Sequence, residues 1–459
     1  MKSSLVRRIL GLAMAAAVMA PASAFADTVA DAMAQAYLGN PTLRGARAGQ
    51  RATDEQVPQA LSGWRPTVTV QTEVEAVGGK TKSYITNNSA KIKEVPGSVS
   101  ITLTQPIYNG GRTTASVAQA EANVKAGQQN LLATEQSVLY NAVSAYINVY
   151  ADRQLVALQQ ENVRVLQAQL GASDERFKVG EITRTDVAQA RASLSGAKGS
   201  LANQQAILAG DVAKYLQIIG KQPGKLTYPE LRRMPPSVEI ALAKAAQLNP
   251  NILAAAFVED ASLHQIDVQR SALLPQISLQ GQAAYLNDFD HNSGSKQHTY
   301  SVAGVLSVPL YEGGSAYASI REAKQLASQQ RIAVIEVARS VRQAVSASWS
   351  ALAASREIIA AAKDQVSASQ LALDGVRQEY QAGTRTTLDV LNAQADVVTA
   401  KTTLVNAQRS QILAGYQLLA AVGELTARDQ HLNVPYYDPQ ENYNATRGKW
   451  IGTGVETVE

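Results

Sequence analysis

Residues 112–171 read RTTASVAQAEANVKAGQQNLLATEQSVLYNAVSAYINVYADRQLVALQQENVRVLQAQLG. The stretch has no Pro and is rich in Ala, Gln, Leu and Val, so its local preference is helical. Apolar residues recur every seven positions at Val117, Val124, Leu131 and Val138, then restart at Val149, Val156, Val163 and Leu170. The restart falls four residues after the next heptad position, a stutter that locally unwinds a supercoil. About 60 residues at 1.5 Å each make a helix roughly 90 Å long. A coiled coil or a helical tube needs such a helix; an ordinary globular domain does not.

The stretch occurs twice. Gly180 and Gly383 set an offset of 203 (383 minus 180), and the same offset carries the heptads onto Ile320, Ala327, Val334, Val341, Leu352, Ile359, Val366 and Leu373. The spacing and the stutter agree at one offset, the mark of an internal duplication. Return helices follow both long ones, with Val187, Leu194, Leu201, Leu208 and Tyr215 in the first copy and Val390, Val397, Leu404 and Leu418 in the second. These heptads read as packing positions.

Two strands precede each long helix. Val68, Val70, Val74 and Ala76 alternate with Thr67, Thr69, Gln71, Glu73 and Glu75. Val99, Ile101 and Leu103 alternate with Ser98, Ser100, Thr102 and Thr104, and this strand is expected to close at Pro106. Period-two alternation predicts strands with one apolar and one polar face. The second copy places strands at about 275–286, with Ile277, Leu279 and Tyr285 on one face, and about 298–308. The segments 78–97 and 287–297 read as polar loops, and across them the offset between the copies falls by six residues, from 209 (250 minus 41) to 203 (309 minus 106). Expected boundaries are 27–235 for the first repeat and 236–425 for the second. Within them the long helices span about 112–172 and 315–376, and the return helices about 184–220 and 387–422. Residues 426–459 read as a tail with a disordered end.

The 459-residue chain opens with Lys2, Arg7 and Arg8, an apolar run over residues 9–20, and Ala24, Phe25 and Ala26. This is a secretory leader with a small-residue cleavage site, so the mature chain is expected to start near Asp27. Three of the 42 basic residues lie in the leader against none of the 38 acidic ones, leaving 39 minus 38, or +1. That balance gives no sign of a nucleic-acid partner. The absence of Cys excludes disulfides, thiolate metal sites and Cys nucleophiles. No mature segment has 18 consecutive apolar residues. No Ser or His stands in a recognisable catalytic setting, so neither an enzyme nor a cofactor is expected. Asp288, Asp290, His291 and His298 share one outer segment and read as solvated rather than metal-binding.

Strands of about ten residues match the span of a tilted outer-membrane strand. A sheet facing lipid must close on itself, and four strands are fewer than the roughly eight of the smallest barrels, so closure requires several chains. The sequence allows two, three or four. A soluble sandwich shares the alternation; the secretory leader beside strands of spanning length favours the barrel.

These residues resemble the TolC family of outer-membrane efflux channels. The resemblance rests on the duplicated plan, Asn40 and Pro41 with their counterparts Asn249 and Pro250, and the strand exits at 106–111 and 309–314. It rests most specifically on YQAGTRTTLDVLN at 380–392 with FKVGEITRTDVAQ at 177–189. It implies an α+β membrane protein: a homotrimer with a twelve-stranded β-barrel, four strands per chain, continuing into a long α-helical coiled-coil tunnel. The role implied is the passive exit duct of a tripartite efflux or type I secretion system in the outer membrane of a Gram-negative cell. Its partners would be outer-membrane lipid, a periplasmic adaptor and an inner-membrane RND or ABC pump. The paired turns would form the closed periplasmic entrance, with Tyr380 and Arg385 held against Asp186 and Thr185. Val179, Gly180, Glu181, Ala382, Gly383 and Thr384 would dock the adaptor. Asp389 and Asn392 would line the constriction, where drug-efflux members can carry two acidic residues; Asn392 leaves one carboxylate per chain. Read from the residues alone, Thr183 and Thr386 are placed to cap the return helices with Asp186 and Asp389, which fits capping alone or capping plus gating. The other class in view is a periplasmic coiled-coil adaptor or structural protein.

Overall fold

A computed structural model describes residues 27–82, 85, 89–231, 234–288 and 296–455. The leader, Asp290 and His291 lie outside them. The first copy opens with α1 (Val29–Gly39), α2 (Pro41–Asp54) and α3 (Gln56–Leu61), then the strands β1 (Thr67–Val74), β2 (Val77–Lys82), β3 (Ser89–Glu94) and β4 (Pro96–Asn109). The long helix α4 (Arg112–Lys178) and the return helix α5 (Arg184–Ile219) complete it. The second copy repeats the plan with α6 (Val238–Leu248), α7 (Pro250–Arg270), β5 (Gln276–Asp288), β6 (Lys296–Ser307), α8 (Ser315–Gln381) and α9 (Thr387–Val422). Both long helices have 67 residues and both return helices 36. The long helices run about five residues beyond their expected ends, up to the turns themselves.

The chain divides into two compact units, each drawing on both copies. One holds residues up to Ala36, Asn141–Arg232 and Ser355–Leu413; the other holds Tyr37–Tyr140, Arg233–Ala354 and Ala414–Glu459.

In the second unit the four-stranded antiparallel sheet has the order β1-β4-β5-β6. Its register puts Val70, Ile101, Ala283 and Tyr300 in one row and Val68, Leu103, Gly281 and Val302 in the next. The opposite face carries the row Thr69, Thr102, Gln282 and Ser301. The apolar face is uncovered within the chain; Val70 and Tyr300 are 66 % and 79 % exposed. Two expectations need correction. The segment 78–97 is not a loop: β2 and β3 pair as a hairpin from Val77 with Glu94 to Lys82 with Ser89. Backbone pairing needs no apolar alternation, which is why a polar, Gly-containing sequence conceals it. The strand before α4 also continues past Pro106 to Asn109, with a register shift between Pro106 and Tyr108. Proline has no N–H to give the ladder, so the pairing slips there instead of ending.

Helices α9 and α7 meet end to end. Asn249 caps α7, its side-chain oxygen accepting from Asn251 N–H at 2.9 Å while its amide donates to Ala421 O at 2.8 Å. Gly423 ends α9 at φ +100°, and Lys244 pairs with Glu424 just beyond it. The tail carries a further helix: Asp438 caps α10 (Pro439–Arg447), with Pro439 in its first turn, while the last residues, 456–459, lie outside the described ones. Asn442 donates to Asp54 on α2 at 2.7 Å and Arg447 to Glu121 on α4 at 2.8 Å.

In the first unit the heptads do what their spacing predicts. Val149, Val156, Val187, Leu194, Tyr215, Leu373, Val390 and Val397 are buried. Tyr146 on α4 fixes the segment between the copies. Its hydroxyl donates toward Asp27 O and Thr227 O and accepts from Thr227 N–H at 2.9 Å. A buried acid interrupts the apolar pattern. Asp152 of α4 is 1 % exposed, with Gln204 Nε2 of α5 at 3.2 Å, Arg409 of α9 at 4.0 Å, and Asp211 of α5 beside it. Burial first, then Asp211, pushes its carboxyl up to about 6. A raised acid holds extra protons in the folded state between its unfolded value and pH 6, so stability falls as pH rises through that window. The fold should therefore be less stable at pH 8 than at pH 5, by about 1–2 kcal/mol. Asp152→Asn should flatten that slope, checked by thermal melts across the window.

Candidate gate at the paired helical turns

Both turns are built alike because both sequences carry Gly, then Thr three residues on, then Asp three further on. Gly180 and Gly383 adopt φ +79° and +80°, the left-handed conformation that ends a helix without a Cβ clash. The next helix starts at a capping box. Thr183 N–H and Oγ1 donate to Asp186 Oδ2 at 2.9 and 2.7 Å, and Asp186 N–H donates back to Thr183 Oγ1 at 3.3 Å. Thr386 and Asp389 repeat this at 2.9, 2.8 and 3.3 Å. The Thr183 side chain holds Asp186 below the usual carboxylate range, and the Thr386 backbone N–H does the same for Asp389. A depressed acid loses its folded-state advantage only as pH falls through its folded value, so both caps stay charged at neutral pH.

Each turn is clasped by an ion pair, and the two clasps have opposite polarity. In the first, Arg176 Nε of the descending helix meets Glu181 Oε2 at 2.8 Å. In the second, Glu379 of the descending helix receives Arg385 Nε at 2.7 Å. Arg176 and Glu379 are equivalent positions of the duplication (176 plus 203). Glu181 raises Arg176 above its ordinary value, and Glu379 does so for Arg385. Thr384 N–H and Oγ1 both donate to Glu379 O, at 3.0 and 2.9 Å, drawing the second turn tight.

The turns also touch one another. The Arg176 guanidinium lies 4.6 Å from the centroid of the Tyr380 ring, while the Tyr380 hydroxyl sits 3.3 Å from Thr387 Oγ1. Above them Arg377 donates to Gln394 at 3.0 Å and Gln394 to Asn162 at 3.3 Å, and Leu166, Leu194, Ala197 and Leu391 form a small core. Among the described residues, no hydrogen bond or ion pair joins Tyr380 or Arg385 to Asp186 or Thr185 within one chain. Asp186 is taken up by its cap, and Thr185 is exposed on the first turn of α5. Asn392 is exposed one turn beyond the half-buried Asp389. Val179 projects from the first turn, 72 % exposed, and Ala382 is exposed beside Gly383. The sequence reading passed over Arg176, Glu379 and Thr387. The available signal was the inverted charge at positions 203 apart. His298, the described histidine of the candidate metal segment, instead packs on Tyr285 at 4.9 Å between ring centroids, and no metal-holding cluster occurs among the described residues.

The profile described as "Outer membrane efflux protein" matches residues 32–220 and 241–424, one stretch in each copy. Outer membrane efflux protein BepC of Brucella suis biovar 1 (strain 1330) is 39 % identical over 436 residues, covering 95 % of this chain and 94 % of that protein. Outer membrane protein TolC of Escherichia coli (strain K12) is 28 % identical over 434 residues, covering 88 % and 84 %. Among solved structures, the Campylobacter jejuni CmeC outer membrane channel superposes with a TM-score of 0.78 at 16 % identity, covering 92 % of this chain and 89 % of that one. A periplasmic adaptor is thereby set aside. The chain belongs to the outer membrane efflux protein family, and it is an outer-membrane exit duct with a helical extension into the periplasm.

Proposed function

We propose that three copies of the chain close the duct, with twelve strands in one barrel, and that the paired turns are its iris-like periplasmic gate. The observation that carries the reading is the sheet. One face is apolar and uncovered, and β1 and β6 each pair on one side only. In lipid an open edge leaves backbone groups without partners, so the edges of one copy must meet those of the next. Tyr317, Ile332 and Ile335 also support assembly: they are exposed on one side of α8, where a neighbouring copy would cover them. Unheated samples from outer-membrane extracts should migrate as heat-modifiable trimers. A stable monomer in buffer without detergent would sink the reading.

The lipid face also makes a directional prediction. Ile101→Lys puts a charge on the apolar face near the middle of β4, at about 2–4 kcal/mol when the site lies near the bilayer midplane. Thr102→Lys, on the opposite face, should cost little. The yield of folded trimer in membranes distinguishes the two. Equal yields would mean that the apolar face does not contact lipid.

At the paired turns, Val179 beside Gly180 and Ala382 beside Gly383 offer short exposed knuckles for a periplasmic adaptor. An inner-membrane RND or ABC pump would supply energy and cargo. Asp389 gives three carboxylates to the constriction of a trimer. Asn392 adds none, so selection for cations there should be weak.

A further inference from the structure

We propose that the loop after α10 is a membrane anchor, which sets Trp450 and Ile451 into the boundary between headgroups and acyl chains on the periplasmic side of the outer membrane. The proposal rests on the outer-membrane placement of the chain and is independent of the gate.

The loop is held at a defined height. Arg65 Nη1 donates to Lys449 O at 2.8 Å, and the same guanidinium lies 4.7 Å from the centroid of the Trp450 ring. Arg65 stands two residues before Thr67, the first residue of β1, so its backbone lies within about 7 Å of the base of the sheet. The root of the loop is fixed too, since α10 is tied to α2 through Asn442 and to α4 through Arg447. Lys449 Nζ donates to Gly454 O at 3.0 Å and closes the loop, and Gly452 turns it at φ +110°.

The closed loop presents adjacent apolar side chains outward. Trp450 is 66 % exposed and Ile451 92 %. Trp64, next to Arg65, is 48 % exposed. Immediately beyond, Val68 and Val70 begin the apolar face of β1. The loop therefore continues the lipid-facing surface at the level where a barrel carries its aromatic girdle. Tryptophan suits that level because its ring is apolar while its N–H can bond to the wet headgroups. Arg65 and Lys449 at the root place cations where lipid phosphates lie.

The chain has three tryptophans, Trp64, Trp349 and Trp450. The test uses the full chain as Trp64→Phe, Trp349→Phe, so that Trp450 alone emits. The protein is reconstituted in phosphatidylcholine vesicles with and without bromine on acyl carbons near the headgroup. Emission should fall about two-fold in the brominated vesicles if the ring sits in the girdle region. Emission unchanged by bromine overturns the proposal in either form: quenched by acrylamide, the loop lies in water; shielded from both, it is covered by a neighbouring copy. If the double variant does not assemble, Trp450→Phe is compared with the unmodified chain. The bromine-quenchable part of the emission should then drop, and an unchanged part overturns the proposal equally.

Discussion

Single-channel conductance in planar bilayers should rise several-fold when Tyr380→Phe and Arg385→Ser are combined. Phenylalanine keeps the ring under Arg176 but removes the hydroxyl that faces Thr387, and serine removes the cation that Glu379 holds. The Arg385–Glu379 pair is about half exposed and screened by water, so it adds little to stability and its loss should leave the fold intact. A third variant separates two forms of the lock. Glu379→Gln frees Arg385 without removing it. If Arg385 closes the entrance by reaching Asp186 or Thr185 in the assembly, Glu379→Gln should keep conductance low, because the cation becomes more available. If the clasp within the turn is itself the lock, Glu379→Gln should raise conductance as the double variant does. Channels of unchanged conductance in all three variants would move the gate away from these turns.

Gly423→Ala should strongly destabilise the fold. Gly423 has φ +100°, and a Cβ there would stand 2.6 Å from Leu248 O and 2.8 Å from Leu248 C. Those atoms are backbone at the α6–α7 junction, where Asn249 both caps α7 and bonds to α9, so the obstacle cannot rotate away. Left-handed backbone costs a residue with a Cβ about 1–2 kcal/mol, and the clash adds to it, for a total of about 3 kcal/mol or more. Gly383→Ala is the matched control: φ is +80°, but nothing lies within 4 Å of the added Cβ. It should lose only the backbone part. Thermal melts of the two variants measure the difference, and equal losses would mean that the junction yields.

The long helices, the turns and the alternating faces were legible in the sequence because each repeats a local rule. Val117, Val124, Leu131 and Val138 recur at the helical heptad and all four are buried. Val68, Val70 and Ile101 recur at period two and share one face. Thr183 with Asp186 is a capping box whose members are three residues apart, and it forms as spaced. What stayed hidden depends on which element lies beside which. Nothing near Asp152 announces Gln204, Asp211 and Arg409, which come from two other helices. The stacking of Arg176 on Tyr380 joins residues 204 positions apart (380 minus 176), so no local pattern encodes it. The hairpin β2–β3 escaped for the opposite reason: its pairing is local, but it is carried by backbone groups that every residue possesses.

The long and return helices of the two copies match in length residue for residue, yet at their tips Arg176 stands where Glu379 stands. A ring of identical single-copy chains could not hold that arrangement, because every substitution would be stamped on all its turns at once. Fusing two copies into one chain frees alternate positions from that symmetry. A mutation can then tune one kind of turn while its counterpart keeps its role, so one set of turns can evolve new contacts without giving up the ring that carries them.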